Sequence, residues 1–181
     1  MEIIPTGFEG LIEIIPKIYT DQRGYFLETF RADVLADYGL KVDFVQDNQS
    51  YSFKNVIRGL HLQLPPHDQI KLVMVVTGKV MDIVVDVRKE SATFGKHYKC
   101  LLESDRGNML YIPAGFAHGI AVLENSLFAY KCSAYYNKNA ETGIYYNDSK
   151  LAIDWGIEDP VITVKDKLLP SFEEFCEKYE L

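Results

Sequence analysis

Two histidines, a lysine and a tyrosine are the residues in this sequence whose types and neighbours could do chemistry. His61 stands in Arg58-Gly59-Leu60-His61-Leu62-Gln63, and Lys71 follows in Gln69-Ile70-Lys71-Leu72-Val73. His118 closes the frame Gly107-x5-Pro113-x-Gly115-x2-His118. An imidazole, with an unperturbed pKa near about 6.5, suits a general base at neutral pH. Lys71 lies between apolar neighbours, so it is expected to point inward, where a cation is costly unless an anion compensates it. That reads as a fixed positive charge placed to stabilise an oxyanion. Tyr130 opens the run Tyr130-Lys131-Cys132-Ser133-Ala134-Tyr135-Tyr136. A phenol can donate a proton or stack on a base. His67 and His97 have no comparable company and read as surface or loop residues.

If 58–63 is a regular strand, Arg58, Leu60 and Leu62 share one face and Gly59, His61 and Gln63 the other. Gly59 then leaves room beside His61. The spacing around both histidines resembles the two metal-ligand motifs of cupins. Two of the four ligand slots are altered, however, with Gln63 where a histidine would stand and Lys71 where a carboxylate would. An ammonium beside a depleted ligand set would hold a divalent cation poorly. No metal is expected at His61 and His118.

The elements that must position these groups read as β-strands. Short apolar or alternating runs recur at Leu11–Ile15, Tyr25–Phe30, Asp43–Gln46, Gln69–Val76, Lys79–Val87, His97–Leu102, Asn108–Ile112 and Leu127–Tyr136, with glycines near the turns. Many short strands at this spacing predict a mainly β chain, a barrel or jelly roll, forming one domain over residues 1–181. Short helices are expected at Arg31–Tyr38, ending at Gly39, and at Ser171–Tyr179, where Ser171 and Glu174 have capping-box spacing. The chain has 181 residues, is 48% hydrophobic and carries a formal charge of −7. That charge argues against a general affinity for nucleic acid or anionic membrane. Three cysteines without metal or redox spacing fit a reducing compartment, and no signal peptide or membrane-length apolar run is seen. A cytoplasmic location is expected.

Taken together, these segments resemble the dTDP-4-dehydrorhamnose 3,5-epimerase family. The matching stretches are Asp21–Phe30, Phe44–Ser50, Arg58–His61, Lys71–Val73, Val85–Gly95, Ile112–Gly119, Tyr130–Tyr136, Ile153–Trp155 and Lys165-Asp166. The resemblance spans nearly the whole chain in order, and departures at Leu62, Met74, Tyr146 and Gly156 remove none of the groups named above.

What the family implies is a metal-free, cofactor-free cupin-type jelly roll with a few short peripheral helices. It implies a homodimer acting on a 4-keto sugar linked to dTDP. By the same resemblance His61 is the base, Asp166 its carboxylate partner, Tyr130 the acid on the opposite face and Lys71 the oxyanion-stabilising group. Substrate contacts fall on Arg23, Glu28, Gln46, Asp47, Asn48, Arg58, His118, Glu141 and Lys165, and Tyr136 takes the position that stacks on thymine. The Arg23–Glu28 strand is expected to help build a partner's nucleotide pocket. The reaction implied is inversion of C3 and C5. The alternatives are inversion at one carbon only and a 3,4-ketoisomerase.

Overall fold

The computed structural model describes residues 1–179. Its strands are β1 (Glu2–Pro5), β2 (Ile12–Ile15), β3 (Ile18–Asp21), β4 (Gly24–Leu27), β5 (Gln46–Ser52), β6 (Ile57–Gln63) and β7 (Lys71–Thr77). They continue with β8 (Lys79–Asp86), β9 (His97–Glu103), β10 (Met109–Ile112), β11 (Phe116–Val122), β12 (Ser126–Cys132) and β13 (Glu141–Gly143). Three short helices are α1 (Ala32–Asp37), α2 (Val164–Lys167) and α3 (Phe172–Lys178). A six-stranded sheet in the order β1-β2-β10-β7-β12-β5 faces a five-stranded sheet in the order β13-β6-β11-β8-β9. Every pairing between these strands is antiparallel, and β3 and β4 form a separate hairpin. The expected β architecture with a few short helices is what forms. No described helix is long and apolar enough to cross a membrane.

Period-two alternation decides which side chains meet between the sheets. Val73 and Val75 of β7, Val80 and Val84 of β8, Phe116 and Ile120 of β11 and Phe128 of β12 pack there. The same parity carries Lys71, His118 and Tyr130 to the interior, where all three line one cleft. The smaller sheet is apolar on its other face too. Ile83, Val85, Ala117 and Ala121 are covered there by Ile144, Leu151, Ile153, Trp155 and Phe175 from the C-terminal part of the chain. That double burial explains why β8 reads as an almost continuous aliphatic run.

Several boundaries differ from the sequence reading, for physical reasons. The strand expected at Asp43–Gln46 starts instead at Gln46 and runs to Ser52. Its inward residues are Gln46, Asn48, Ser50 and Ser52, polar because three of them line the cleft, so hydrophobicity gave no signal. The run expected to continue to Tyr136 leaves the sheet after Cys132. The helix near Arg31 is present as α1, and α3 carries the full capping box between Ser171 and Glu174.

Candidate active site

The geometry of the site begins with an irregularity in β6. On β11, His118 faces His61 and Ile120 faces Arg58, so the one residue between them on β11, Gly119, opposes two on β6, Gly59 and Leu60. The extra residue is a β-bulge, which breaks the alternation and turns the strand. Arg58 and His61 therefore line the same cleft, contrary to the two-faced arrangement a regular strand would give. Leu60 turns to the outer apolar cluster, and its backbone exchanges hydrogen bonds with Ile144 at 3.2 and 3.0 Å. Gly59 sits in the bulge with φ +134°, and a Cβ there would lie 2.5 Å from the Gly119 Cα. No other residue type fits that backbone and that approach.

A loop-and-helix element brings the carboxylate partner to His61. The Ile57 N–H donates to the Val161 carbonyl and the Val161 N–H to the Asn55 carbonyl, which ties this segment alongside the start of β6. Thr163 then caps α2, its hydroxyl accepting from the Asp166 N–H. Asp166 is buried, with Oδ1 2.8 Å from His61 Nε2 and Oδ2 3.3 Å from the Gly59 N–H. Burial pushes this carboxyl up, but the hydrogen bond and charge of His61, with the Gly59 amide and Thr163, hold it below the usual carboxylate range. An ionised carboxylate only accepts, so His61 Nε2 carries the proton and Nδ1 is left with the lone pair a base needs.

The remaining groups complete the cleft from the facing sheet. Burial pushes the Tyr130 phenol above its ordinary value, with Cys132 adding to the rise and Arg58 opposing it, so the phenol keeps its proton at neutral pH. Burial pushes the Lys71 ammonium down, opposed at longer range by Cys132, Asp82 and Glu141. His61, Lys71 and Tyr130 form the shared wall of two lobes. The larger lobe, about 300 Å³, adds Arg58, His118, Lys165 and Asp166. The smaller, about 130 Å³, adds Gln46, Asn48, Cys132, Tyr136 and Glu141. Glu141 links the two, accepting from Lys165 Nζ at 2.6 Å and from the Tyr136 hydroxyl at 2.8 Å. Burial pushes Glu141 up, yet Lys165 and Tyr136 bring it net below the usual range.

Three residues with expected substrate roles lie away from this cleft. Asp47 points to the outer face of β5, where it pairs with Lys131 at 3.0 Å. Arg23 pairs with Asp21 on the β3–β4 hairpin, and Glu28 follows that hairpin beside Arg31. Gln63, in the altered ligand slot, is committed to the backbone. Its Nε2 donates to the His67 and Tyr135 carbonyls and its Oε1 accepts from the Asn137 N–H, which fixes the loop bearing Tyr136. Among the described residues no group of three or more His, Cys, Asp or Glu is placed to hold a metal ion.

The sequence reading missed Asp82. It is fully buried on β8, and its Oδ2 lies 2.9 Å from His118 Nε2. The signal was a single carboxylate at an inward position of the aliphatic strand Val80-Met81-Asp82-Ile83-Val84.

Comparisons with known proteins point to one family. A family model described as dTDP-4-dehydrorhamnose 3,5-epimerase matches residues 5–174. An enzyme of that name from Shigella flexneri is 44% identical over 168 residues, covering 92% of this chain and 93% of its own length. The structure of a dTDP-6-deoxy-D-glucose-3,5-epimerase from Legionella pneumophila, in complex with dTDP-4-keto-L-rhamnose, is 43% identical. It has a TM-score of 0.91 and covers 95% of this chain and 93% of that one. The Bacillus anthracis dTDP-4-dehydrorhamnose 3,5-epimerase with TDP and pyrophosphate bound is 38% identical. Its TM-score is 0.92, with coverage of 94% and 99%.

Proposed function

This chain belongs to the dTDP-4-dehydrorhamnose 3,5-epimerase family, and on that footing we propose how its cleft inverts C3 and C5 of dTDP-4-dehydro-6-deoxy-D-glucose. The product is dTDP-4-dehydro-L-rhamnose, an intermediate in dTDP-L-rhamnose biosynthesis. The observation that carries the assignment of roles is the wall shared by the two lobes, where a histidine base, a proton-bearing phenol and a lysine come together.

The C4 ketone acidifies the hydrogens at C3 and C5. His61 Nδ1 takes one of them, leaving an enolate whose oxygen meets Lys71, and a preorganised charge of this kind is often worth several kcal/mol. Tyr130 returns a proton from the opposite face, which inverts the centre. Asp166 orients His61 and stabilises its protonated form, as a carboxylate does in other imidazole pairs. Substrate is held by Arg58, His118 and Lys165 in the larger lobe, with Gln46, Asn48, Tyr136 and Glu141 in the smaller, and Tyr136 stacks on the thymine. No metal or redox cofactor takes part.

Arg23 on the β3–β4 hairpin and Glu28 just after it fit this reading in a homodimer. The β3–β4 hairpin pairs with no other described strand and exposes Tyr19, Tyr25 and Phe26. We assign it to the nucleotide pocket of a second protomer, in the cytoplasm. The test is incubation with the keto sugar in deuterated water, followed by reduction and sugar analysis. Deuterium at both C3 and C5 with an L-rhamno product is expected, and label at one carbon alone would reassign the enzyme as a monoepimerase. For the dimer, sedimentation should give twice the chain mass, and a fully active monomer would overturn that part.

A further inference from the structure

His118 and Asp82 make a second imidazole–carboxylate pair, parallel to His61 and Asp166, on the neighbouring strand of the same sheet. Asp82 has no exposed surface, and its Oδ1 is the one buried side-chain polar atom without a hydrogen-bond partner among the described residues. Such a carboxylate is costly unless a cationic or proton-donating neighbour answers it. Among the described residues its carboxylate has one hydrogen-bonding partner, His118, diagonal to it across the β8–β11 ladder. The ring of His118 is stacked on Phe128, with centroids 6.2 Å apart and planes at 25°. With Nε2 turned to Asp82, Nδ1 is the nitrogen left for the cleft that His118 lines. The other titratable groups around the pair are His61 and Arg58 from β6, Lys71 from β7, Cys100 from β9, Tyr130 from β12, and Lys165 and Asp166 from α2.

We propose that Asp82 is a positioning residue: it accepts the Nε2–H of His118, presents Nδ1 to the ligand, and stabilises the imidazolium formed when Nδ1 meets an anionic oxygen of the substrate. The proton comes from solvent as the ligand binds, and no covalent bond to carbon changes. A diphosphate oxygen and the enolate oxygen share the required chemistry. The inference rests on reading the cleft as a dTDP-sugar site, which makes dTDP the probe.

Titration calorimetry of dTDP, in buffers of different ionisation enthalpy near about pH 8, measures both affinity and proton uptake. If the diphosphate is the anion, wild type takes up a proton. Asp82→Asn and His118→Gln lose that uptake and bind about tenfold more weakly, as expected for one charge-assisted hydrogen bond. If the enolate is the anion, dTDP binding is unmoved and the deuterium-exchange rate of the keto sugar falls by about the same factor. Both results support the proposal, provided the double variant is no worse than either single one. Losses that add in full, or an Asp82→Asn protein that binds and exchanges like wild type, would overturn it. Should Asp82→Asn fail to fold, ¹⁵N NMR of histidine-labelled wild type still decides. Nε2 of His118 must be protonated, and an unprotonated Nε2 sinks the idea. Should wild type fail to bind dTDP, the substrate assignment fails, while the same spectrum still judges the pairing.

Discussion

At the residue scale the proposed mechanism divides the work between His61 and Tyr130, which reach the cleft from facing sheets. His61→Ala should abolish both deuterium exchange and product, by about 10²-fold or more, because no enolate forms. Tyr130→Phe should keep part of the exchange, since His61 can return a solvent-derived proton to the face it came from, while net inversion falls sharply. The check is to follow exchange by NMR and product by chromatography on the same samples. If Tyr130→Phe loses exchange as completely as His61→Ala, the phenol helps to form the enolate and the two-face division is wrong. Lys71→Ala should lower exchange and inversion together, because both pass through the same enolate; a selective loss of one would remove Lys71 from that role. Lys71, His118 and Tyr130 were legible in the sequence because simple alternation turns them inward. Asp82 was overlooked because its partner is diagonal on a strand distant in sequence, and only the folded ladder brings the two together.

At the element scale β6 is the least regular strand of the site and the one the sequence misread. Alternation predicts opposite faces for Arg58 and His61, but a bulge depends on how many residues the partner strand offers, which local sequence does not contain. Gly59 was nevertheless visible as an oddity, and its backbone now accounts for it. Gly59→Ala should destabilise the protein by about 1–3 kcal/mol, through a strained left-handed backbone and a contact with Gly119 that cannot relax freely. Urea unfolding measures this, and a change below about 0.5 kcal/mol would mean that the bulge tolerates a side chain. Activity should fall further than stability alone explains, because Arg58, His61 and the Gly59–Asp166 contact all hang on this turn. The terminal helix was the easiest element to read, since Ser171 and Glu174 form a local motif that needs no tertiary partner.

At the scale of the whole molecule, acid should unfold the protein through a few carboxyls. Asp86 and Asp166 are both held below the usual range. In each, burial pushes up and is outweighed, by Arg88, Ser91 and Thr93 for the first and chiefly by His61 for the second. A depressed folded-state pKa adds stability above the unfolded value near about 4, and that stability is lost as pH falls through the folded one. The denaturation midpoint should therefore drop between about pH 5 and pH 3. Asp86→Asn should be less stable at neutral pH and less sensitive to acid, and an unchanged slope would exclude Asp86 as a source. The two-sheet architecture was legible in the rhythm of short strands. The cover over the smaller sheet was not, because residues 144–162 have little regular structure and gain their place only by packing on Ile83, Val85 and Ala117. That cover leads directly into α2, so one stretch of chain both seals the outer face and delivers Asp166 to His61. The consequence concerns birth and breakage. On the ribosome, where N-terminal parts emerge first, His61 waits without its carboxylate partner until α2 has been made and docked. A protease that removes that stretch takes Asp166 from His61 and uncovers the apolar face of the smaller sheet in one cut.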